Sequence, residues 1–207
     1  MKNFAVIGSP IAHSLSPTLY QLFAKHAGIT LNYIKLLSSD ENFSNDVKNF
    51  FSTGGAAVNV TVPFKELAFV LADKLTDRAQ KAGAVNMLSQ QEDGLLVGDN
   101  TDGVGFVNDL KNNQGIDLND KMILIVGAGG SAKGILNILL DQAPKKIVIM
   151  NRTIEKAKAL AAQDECISVS QFDDELQQFD LIINATSLSL QNKRPALSEK
   201  ILKSTTL

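Results

Sequence analysis

The chain has 207 residues, 44% apolar and 20% charged, with 20 Lys and Arg against 22 Asp and Glu for a formal net charge of −2. That is an ordinary globular balance with chain enough for one or two cores, and it offers no broad basic face, so no nucleic-acid partner is expected. Cys166 is the only cysteine, which excludes an intrachain disulfide, and no apolar run reaches the length of a signal peptide or a membrane span, so a cytoplasmic setting is expected.

Taken in order, Phe4 to Ile7 reads as a buried strand ended by Gly8-Ser9-Pro10. Ser14-Leu15-Ser16-Pro17 leads into an amphipathic helix through Ala27, with the Ser16 hydroxyl at N-cap and Pro17 at the first helical position. Leu31 to Leu37 is a second strand. Ser39-Asp40 caps a helix carrying Phe43, Val47, Phe50 and Phe51, which Gly54-Gly55 closes before a third strand, Ala57 to Val60. Thr61 to Lys65 turns into a helical pattern from Glu66 to Ala72, and a short helix covers Asp77 to Lys81. Ala84 to Ser89 and Leu95 to Val97 flank Glu92-Asp93-Gly94, a hairpin signal. After the break at Gly98 to Gly103 a helix runs to Asn112, and Gly115 to Asp120 is a loop. The composition divides near Asp102, giving an N-terminal α/β domain, 1–101, and a second domain, 102–207.

The second domain is organised by the apolar run Met122 to Val126, which continues into Gly127-Ala128-Gly129-Gly130-Ser131-Ala132 and a helix from Ala132 to Leu140. A doubly buried strand, a tight glycine turn and a helix are the context of a dinucleotide fingerprint. Gly127 permits the turn, Gly129 lets backbone approach a pyrophosphate, and Ala132 lets helix pack on strand. Free N–H groups at the helix start favour phosphate. The next strand, Lys146 to Met150, ends in Asn151-Arg152-Thr153, where an NAD-binding protein carries an acid for the ribose. Arg152 with Lys156 suits a 2′-phosphate instead, so NADP is expected, with Thr153 capping a helix from Ile154 to Gln163. Ile167 to Val169 and Leu181 to Asn184 add two strands, for four in a Rossmann-like doubly wound sheet that has about six when complete.

Asn59-Val60-Thr61-Val62-Pro63-Phe64-Lys65, Ala82-Gly83-Ala84-Val85-Asn86 and Gly98-Asp99-Asn100-Thr101-Asp102-Gly103 together resemble the shikimate dehydrogenase family. Ser14-Leu15-Ser16-Pro17, Gly127-Ala128-Gly129-Gly130, Asn151-Arg152-Thr153 and Asn184-Ala185-Thr186-Ser187 match it in the same order. The resemblance implies an NADP-dependent enzyme that reduces 3-dehydroshikimate to shikimate, a step toward chorismate and the aromatic amino acids. It implies Lys65 and Asp102 as the catalytic pair, Ser14 and Ser16 at the substrate carboxylate, and Thr61, Asn86 and Asp102 at the hydroxyls. It also places Thr186 and Ser187 near the nicotinamide. On their own chemistry an ammonium can donate both charge and proton to a forming alkoxide, with a carboxylate to orient it. Singly, Lys65 is most often a solvated helix residue, Asp102 a helix N-cap, Ser16 a plain cap and Ser14 a loop residue, and Asn59 reads as site support or as a strand-end hydrogen bond to backbone. No metal ligands are expected, His13 and His26 are given no chemistry, and Cys166 reads as a small core residue.

The chain departs from the family at Leu188-Ser189-Leu190, where a small residue and glycine are usual, and it ends at Leu207 after a short helix, Ser198 to Lys203. The family continues with further strands, a substrate-contacting glutamine and closing helices. An incomplete sheet is therefore expected, with the edge of the fourth strand open to pairing in a homodimer. Two alternatives stand beside the leading one: a quinate/shikimate dehydrogenase paralogue, and a non-catalytic fragment that binds substrate and NADPH.

Overall fold

The computed structural model describes residues 2–171, 178–188, 192–195, 197 and 201. It divides into two compact units, Met1–Thr101 and Asp102–Leu207.

The first unit runs β1 (Lys2–Gly8), α1 (Ser16–Ala27), β2 (Leu31–Leu37), α2 (Phe43–Ser52), β3 (Gly55–Val60), α3 (Lys65–Leu71), β4 (Lys74–Leu75), α4 (Asp77–Ala82), β5 (Met87–Gln90) and β6 (Leu96–Asp99). Its strands form one sheet in the order β2-β1-β3-β5-β6-β4. β1 is parallel to β2 and β3, whereas β5 runs antiparallel to both β3 and β6. The pleat alternates side chains between two helical layers. Ala5 and Ile7 join Phe43, Val47, Phe50 and Phe51 of α2 with Phe64 and Ala68, while Val6 packs on the opposite side with Ile11 and Tyr33. This topology brings the ends of β1, β3 and β6 and the start of β5 to one edge of the sheet, where the loops of interest emerge.

The second unit runs α5 (Asp102–Asn108), which continues into a single π-helical turn (Asp109–Asn113), then β7 (Met122–Val126), α6 (Gly130–Leu140), β8 (Lys146–Met150), α7 (Ile154–Ala161), β9 (Ile167–Ser170) and β10 (Leu181–Asn184). The four strands are all parallel, ordered β10-β7-β8-β9. From β7 the chain winds outward to β9 and then returns to the other side of β7, so the strand order reverses between β7 and β10. Ligands of open α/β sheets bind at the carboxyl ends of the strands beside such a reversal. The strand read as buried on both faces is so: Ile123, Leu124, Ile125 and Val126 are all 0% exposed. Ile123 and Ile125 meet Leu136 and Leu139 of α6 and Leu160 of α7, while Leu124 and Val126 meet Val148, Met150, Phe179 and Ile201. α5 crosses α6 so closely that a Cβ on Gly103 would lie 2.6 Å from the Gly134 carbonyl oxygen.

Several local expectations are corrected. Ser16 is the first residue of α1 and not its cap; Leu15 holds the cap position, and its side chain has no polar atom with which to cap. α1 is also less amphipathic than expected, with Leu19, Leu22 and Phe23 exposed and only Ala24 fully buried. Its contact with the sheet is a narrow stripe in which Tyr20 stacks on Tyr33 at 4.6 Å between ring centroids. α2 starts at Phe43 after Asn42, two residues beyond the expected cap. It ends at Ser52, so Gly54 forms the turn (φ 90°) and Gly55 already belongs to β3. Thr153 stands before α7 without a side-chain cap, its carbonyl instead accepting from Asn151 Nδ2 at 2.8 Å, and α7 ends two residues earlier than expected. Cys166 is half-buried in the loop before β9 and is not a core residue. Of the helix expected from Ser198 to Lys203 only Ile201 is among the described residues, and it is buried. No described helix is long and apolar enough to cross a membrane.

Candidate functional site

In the first unit, backbone bonds stitch the loop bases together. Thr61 N–H donates to the Ile7 carbonyl at 3.0 Å, Ser9 N–H to Val62 at 2.9 Å, Val60 N–H to Asn86 at 2.8 Å, and Val85 N–H to Lys65 at 2.9 Å. Thr61 packs so tightly over Gly8 that a Cβ there would lie 2.5 Å from the threonine methyl, which is why the first strand ends in glycine. Thr61 begins a turn closed by Phe64 N–H on its carbonyl at 3.0 Å, and that turn delivers half-buried Lys65 to the start of α3.

Ser14, Ser16 and Asn59 converge through a residue with no sequence-based role, Tyr33. Ser14 Oγ donates to Ser16 Oγ at 3.2 Å, Ser16 faces the Tyr33 hydroxyl, and that hydroxyl donates to Asn59 Oδ1 at 2.7 Å. Tyr33 is 5% exposed, and burial, with Tyr20 beside it, raises its pKa well above the ordinary tyrosine value against the opposing Ser16 bond. Tyr33 therefore acts as a neutral hydroxyl that binds Asn59 and faces Ser16. The available signal was a tyrosine inside an apolar strand, since a buried hydroxyl needs a partner. His13, by contrast, is exposed.

Asn86 is 9% exposed and is bound on both sides of its amide to Thr101: Thr101 N–H donates to Asn86 Oδ1 at 3.0 Å, and Asn86 Nδ2 donates to Thr101 Oγ1 at 3.0 Å. Asn100 is 2% exposed and donates through Nδ2 to the Ala84 carbonyl at 2.8 Å. Just before it, Asp99 accepts from Arg78 Nε at 2.7 Å, from Arg78 Nη2, from Thr76 Oγ1 at 2.7 Å and from Asn100 N–H at 2.8 Å. The Arg78 bond, aided by Thr76 and the Asn100 amide, lowers the Asp99 carboxyl to about 2 despite partial burial. Since a free aspartate titrates near about 3.9, the folded state binds this proton less tightly than the unfolded state. The stability from this pairing is whole above pH ~4 and is lost as pH falls through that value toward ~2. The expected result is that the Asp99→Asn variant loses less stability than the parent between those limits. With no tryptophan and only two tyrosines, Tyr20 and Tyr33, tyrosine fluorescence during urea unfolding reports on this unit alone. Equal acid slopes for both proteins would refute the assignment.

In the second unit the expected cofactor residues gather at the carboxyl ends of β7, β8 and β10. Gly127 has φ 115°, and a Cβ there would lie 2.8 Å from the Ala185 carbonyl oxygen, so glycine is required on both counts. Gly127 N–H donates to Met150 at 2.8 Å and Ala185 N–H to Val126 at 2.8 Å, which fixes all three strand ends together. Ala128 is buried, and Ala132 at 1% exposure lies against the sheet. Gly129 precedes α6 without a side-chain cap, followed by Gly130 and Ser131 in the first turn. A Cβ on Gly129 would meet nothing within 4 Å, so the space beside its backbone at the start of α6 is open. Asn151 follows the last residue of β8, while Arg152 and Lys156 are exposed and form no ion pair among the described residues. A guanidinium and an ammonium beside an uncapped helix start fit a phosphorylated dinucleotide. Thr186 donates through both N–H (3.1 Å) and Oγ1 (2.7 Å) to Asn184 Oδ1, a side-chain-closed turn that Ser187 and Leu188 extend. Among the described residues no group of three or more His, Cys, Asp or Glu is placed to hold a metal. Lys65 belongs to the first unit, whereas Asp102 opens α5 in the second.

Residues 6–88 match the family described as shikimate dehydrogenase substrate binding domain, and residues 109–204 match the family described as shikimate / quinate 5-dehydrogenase. A relative from Halorhodospira halophila named shikimate dehydrogenase (NADP(+)) is 45% identical over 201 residues, spanning 97% of this chain and 74% of its own. Among solved structures, an Ael1 enzyme from Pseudomonas putida superposes with a TM-score of 0.89 at 38% identity, covering 100% of this chain and 77% of its own. A shikimate 5-dehydrogenase from Thermus thermophilus, in complex with NADP(H) and shikimate, gives 0.85 at 32% identity, covering 97% and 75%.

Proposed function

This chain belongs to the shikimate dehydrogenase family, and from that premise we propose that it is an NADP-dependent oxidoreductase interconverting 3-dehydroshikimate and shikimate on the route to chorismate. The observation that carries the reading is the convergence of Ser14, Ser16, Thr61, Lys65 and Asn86 at one end of the first sheet, with each loop base tied to its neighbour. A small polyol acid needs such a set, because each buried polar group left unpaired costs about 1–3 kcal/mol.

In this reading Ser14 and Ser16 donate to the substrate carboxylate, and Asn59 supports them through Tyr33. Thr61, Asn86 and Asp102 bind ring hydroxyls. The Gly127–Ala132 turn holds the pyrophosphate, Asn151, Arg152, Thr153 and Lys156 surround the 2′-phosphate, and Thr186 and Ser187 flank the nicotinamide. NADPH, when bound, supplies the hydride for the C3 ketone. Lys65 gives its proton to the C3 oxygen as the alkoxide forms and recovers one from the alcohol in reverse, while Asp102 orients the ammonium. The reduction thereby consumes one ketone, one hydride and one proton and yields one alcohol. The homodimer belongs to the same reading: β10 is the outermost strand of its sheet among the described residues, and light scattering that finds only monomer would remove that part.

The deciding experiment follows nicotinamide absorbance with shikimate or quinate and with NADP+ or NAD+. The expected result is shikimate-dependent reduction of NADP+ that exceeds the other three combinations. A preference for quinate would favour the paralogue, and no turnover with any pair would end the enzyme reading.

A further inference from the structure

Asp99 stands where β6 stops and the Asn100-Thr101-Asp102 turn begins. Its carboxylate receives three donors on Oδ1 alone, the Thr76 hydroxyl, Arg78 Nε and its neighbour's N–H. Thr76 is also the cap of α4, accepting from Ala79 N–H at 3.3 Å, and its own N–H donates to the Gly98 carbonyl at 3.0 Å. The Asp99 carbonyl accepts from Asn86 N–H at 2.9 Å. One residue thus joins the start of α4, the turn after β6 and the backbone of Asn86. Two other ion pairs differ in kind: Lys74–Asp93 at 4.0 Å and Lys121–Asp180 at 3.9 Å are single, loose and substantially exposed, whereas Arg78 grips Asp99 with two nitrogens and the Asp99 side chain is 19% exposed.

A planar guanidinium bound through two nitrogens fixes the plane of its carboxylate. With that plane set, Oδ1 faces the Asn100 amide and the turn takes one conformation, so Thr101 presents its N–H and hydroxyl to the Asn86 side chain. We propose that Arg78 and Asp99 are a positioning pair for substrate binding, setting the orientation of Asn86 and of the turn that leads to Asp102. This rests on the functional reading above. Arg78 touches neither Asn86 nor Thr101 in the bonds described; it acts through Asp99.

The pair is examined in the full chain with Arg78→Met, Arg78→Lys and Asp99→Asn. Removing the fork is expected to raise KM for shikimate about tenfold, the worth of one charge-assisted hydrogen bond, with kcat and KM for NADP+ within about twofold. Arg78→Lys, which keeps charge but loses the fork, should recover part of that loss, and Asp99→Asn should resemble Arg78→Met. A merely structural pair would lower the melting temperature and the active fraction and leave both KM values unchanged, which overturns the proposal. If Arg78→Met does not fold, the Lys and Asn variants give the same comparison. Should the parent neither oxidise nor bind shikimate, the functional reading fails, and amide exchange then decides the positioning separately. Exchange at Asn86 and Thr101 about tenfold or more faster in the variants, with β1 and β2 amides unchanged, sustains it, and unaltered exchange refutes it.

Discussion

Replacing Lys65 by alanine is expected to lower turnover of shikimate by about 10²- to 10⁴-fold, the usual contribution of a positioned general acid–base. The lysine is half-buried at the first position of α3, and its backbone is fixed from two directions: the Thr61–Phe64 turn precedes it, and Val85 N–H binds its carbonyl at 2.9 Å. The side chain can be removed without disturbing either constraint, because both use main-chain atoms. Under the proposed function, what the variant loses at the reacting centre is the proton and charge at the C3 oxygen, felt most as the alkoxide forms. kcat should therefore fall while KM for shikimate stays within a few-fold, since the proposed contacts of Ser14, Ser16, Thr61 and Asn86 would persist. Lys65→Arg should rescue poorly, because a guanidinium keeps its proton at any working pH. An unchanged melting temperature would confirm intact folding. Near-normal turnover in the alanine variant would defeat the assignment of this residue, whatever the substrate.

The second large effect concerns cofactor choice. Arg152→Ala is expected to reduce kcat/KM for NADP+ by about 10- to 100-fold, corresponding to one or two charge-assisted bonds to phosphate, with much less change for NAD+. Arg152 lies two residues past the end of β8, is exposed, and is followed by exposed Lys156 in the first turn of α7. Adding Lys156→Ala should deepen the loss for NADP+ and again spare NAD+. The contrast between cofactors is the informative quantity, because damage to the Gly127 turn would impair both alike. An equal loss with both cofactors would show that Arg152 supports the fold near β8 and does not read the 2′-phosphate.

Much of the loop architecture around the candidate site is legible in the sequence. The order of the motifs marked their loops, and the Gly127 turn was recognisable because its requirement is local: one residue with positive φ against a neighbouring strand end. The doubly buried β7 was equally plain, since a run of five apolar residues with no polar alternation has no other stable placement in a sheet. Helix caps were read less well. Ser16 and Thr153 have the right chemistry for capping, yet neither does so: Ser16 lies inside the first turn with its hydroxyl bound by Ser14, and Thr153 precedes α7 with no side-chain bond to the helix.

What the sequence determined by itself was the kind and order of elements, the glycine turn, the cationic strand end and the family, all of which depend on neighbours within a few positions. The tertiary structure alone decided which distant side chains meet. Tyr33 binds Asn59 across 26 positions, Arg78 reaches Asp99 across 21, and Asn86 reaches Thr101 across 15. No periodicity or turn chemistry encodes those separations. They exist because parallel and antiparallel pairing in one sheet brings the ends of β1, β3 and β6 and the start of β5 to the same edge, and buried polar groups delivered there must satisfy one another.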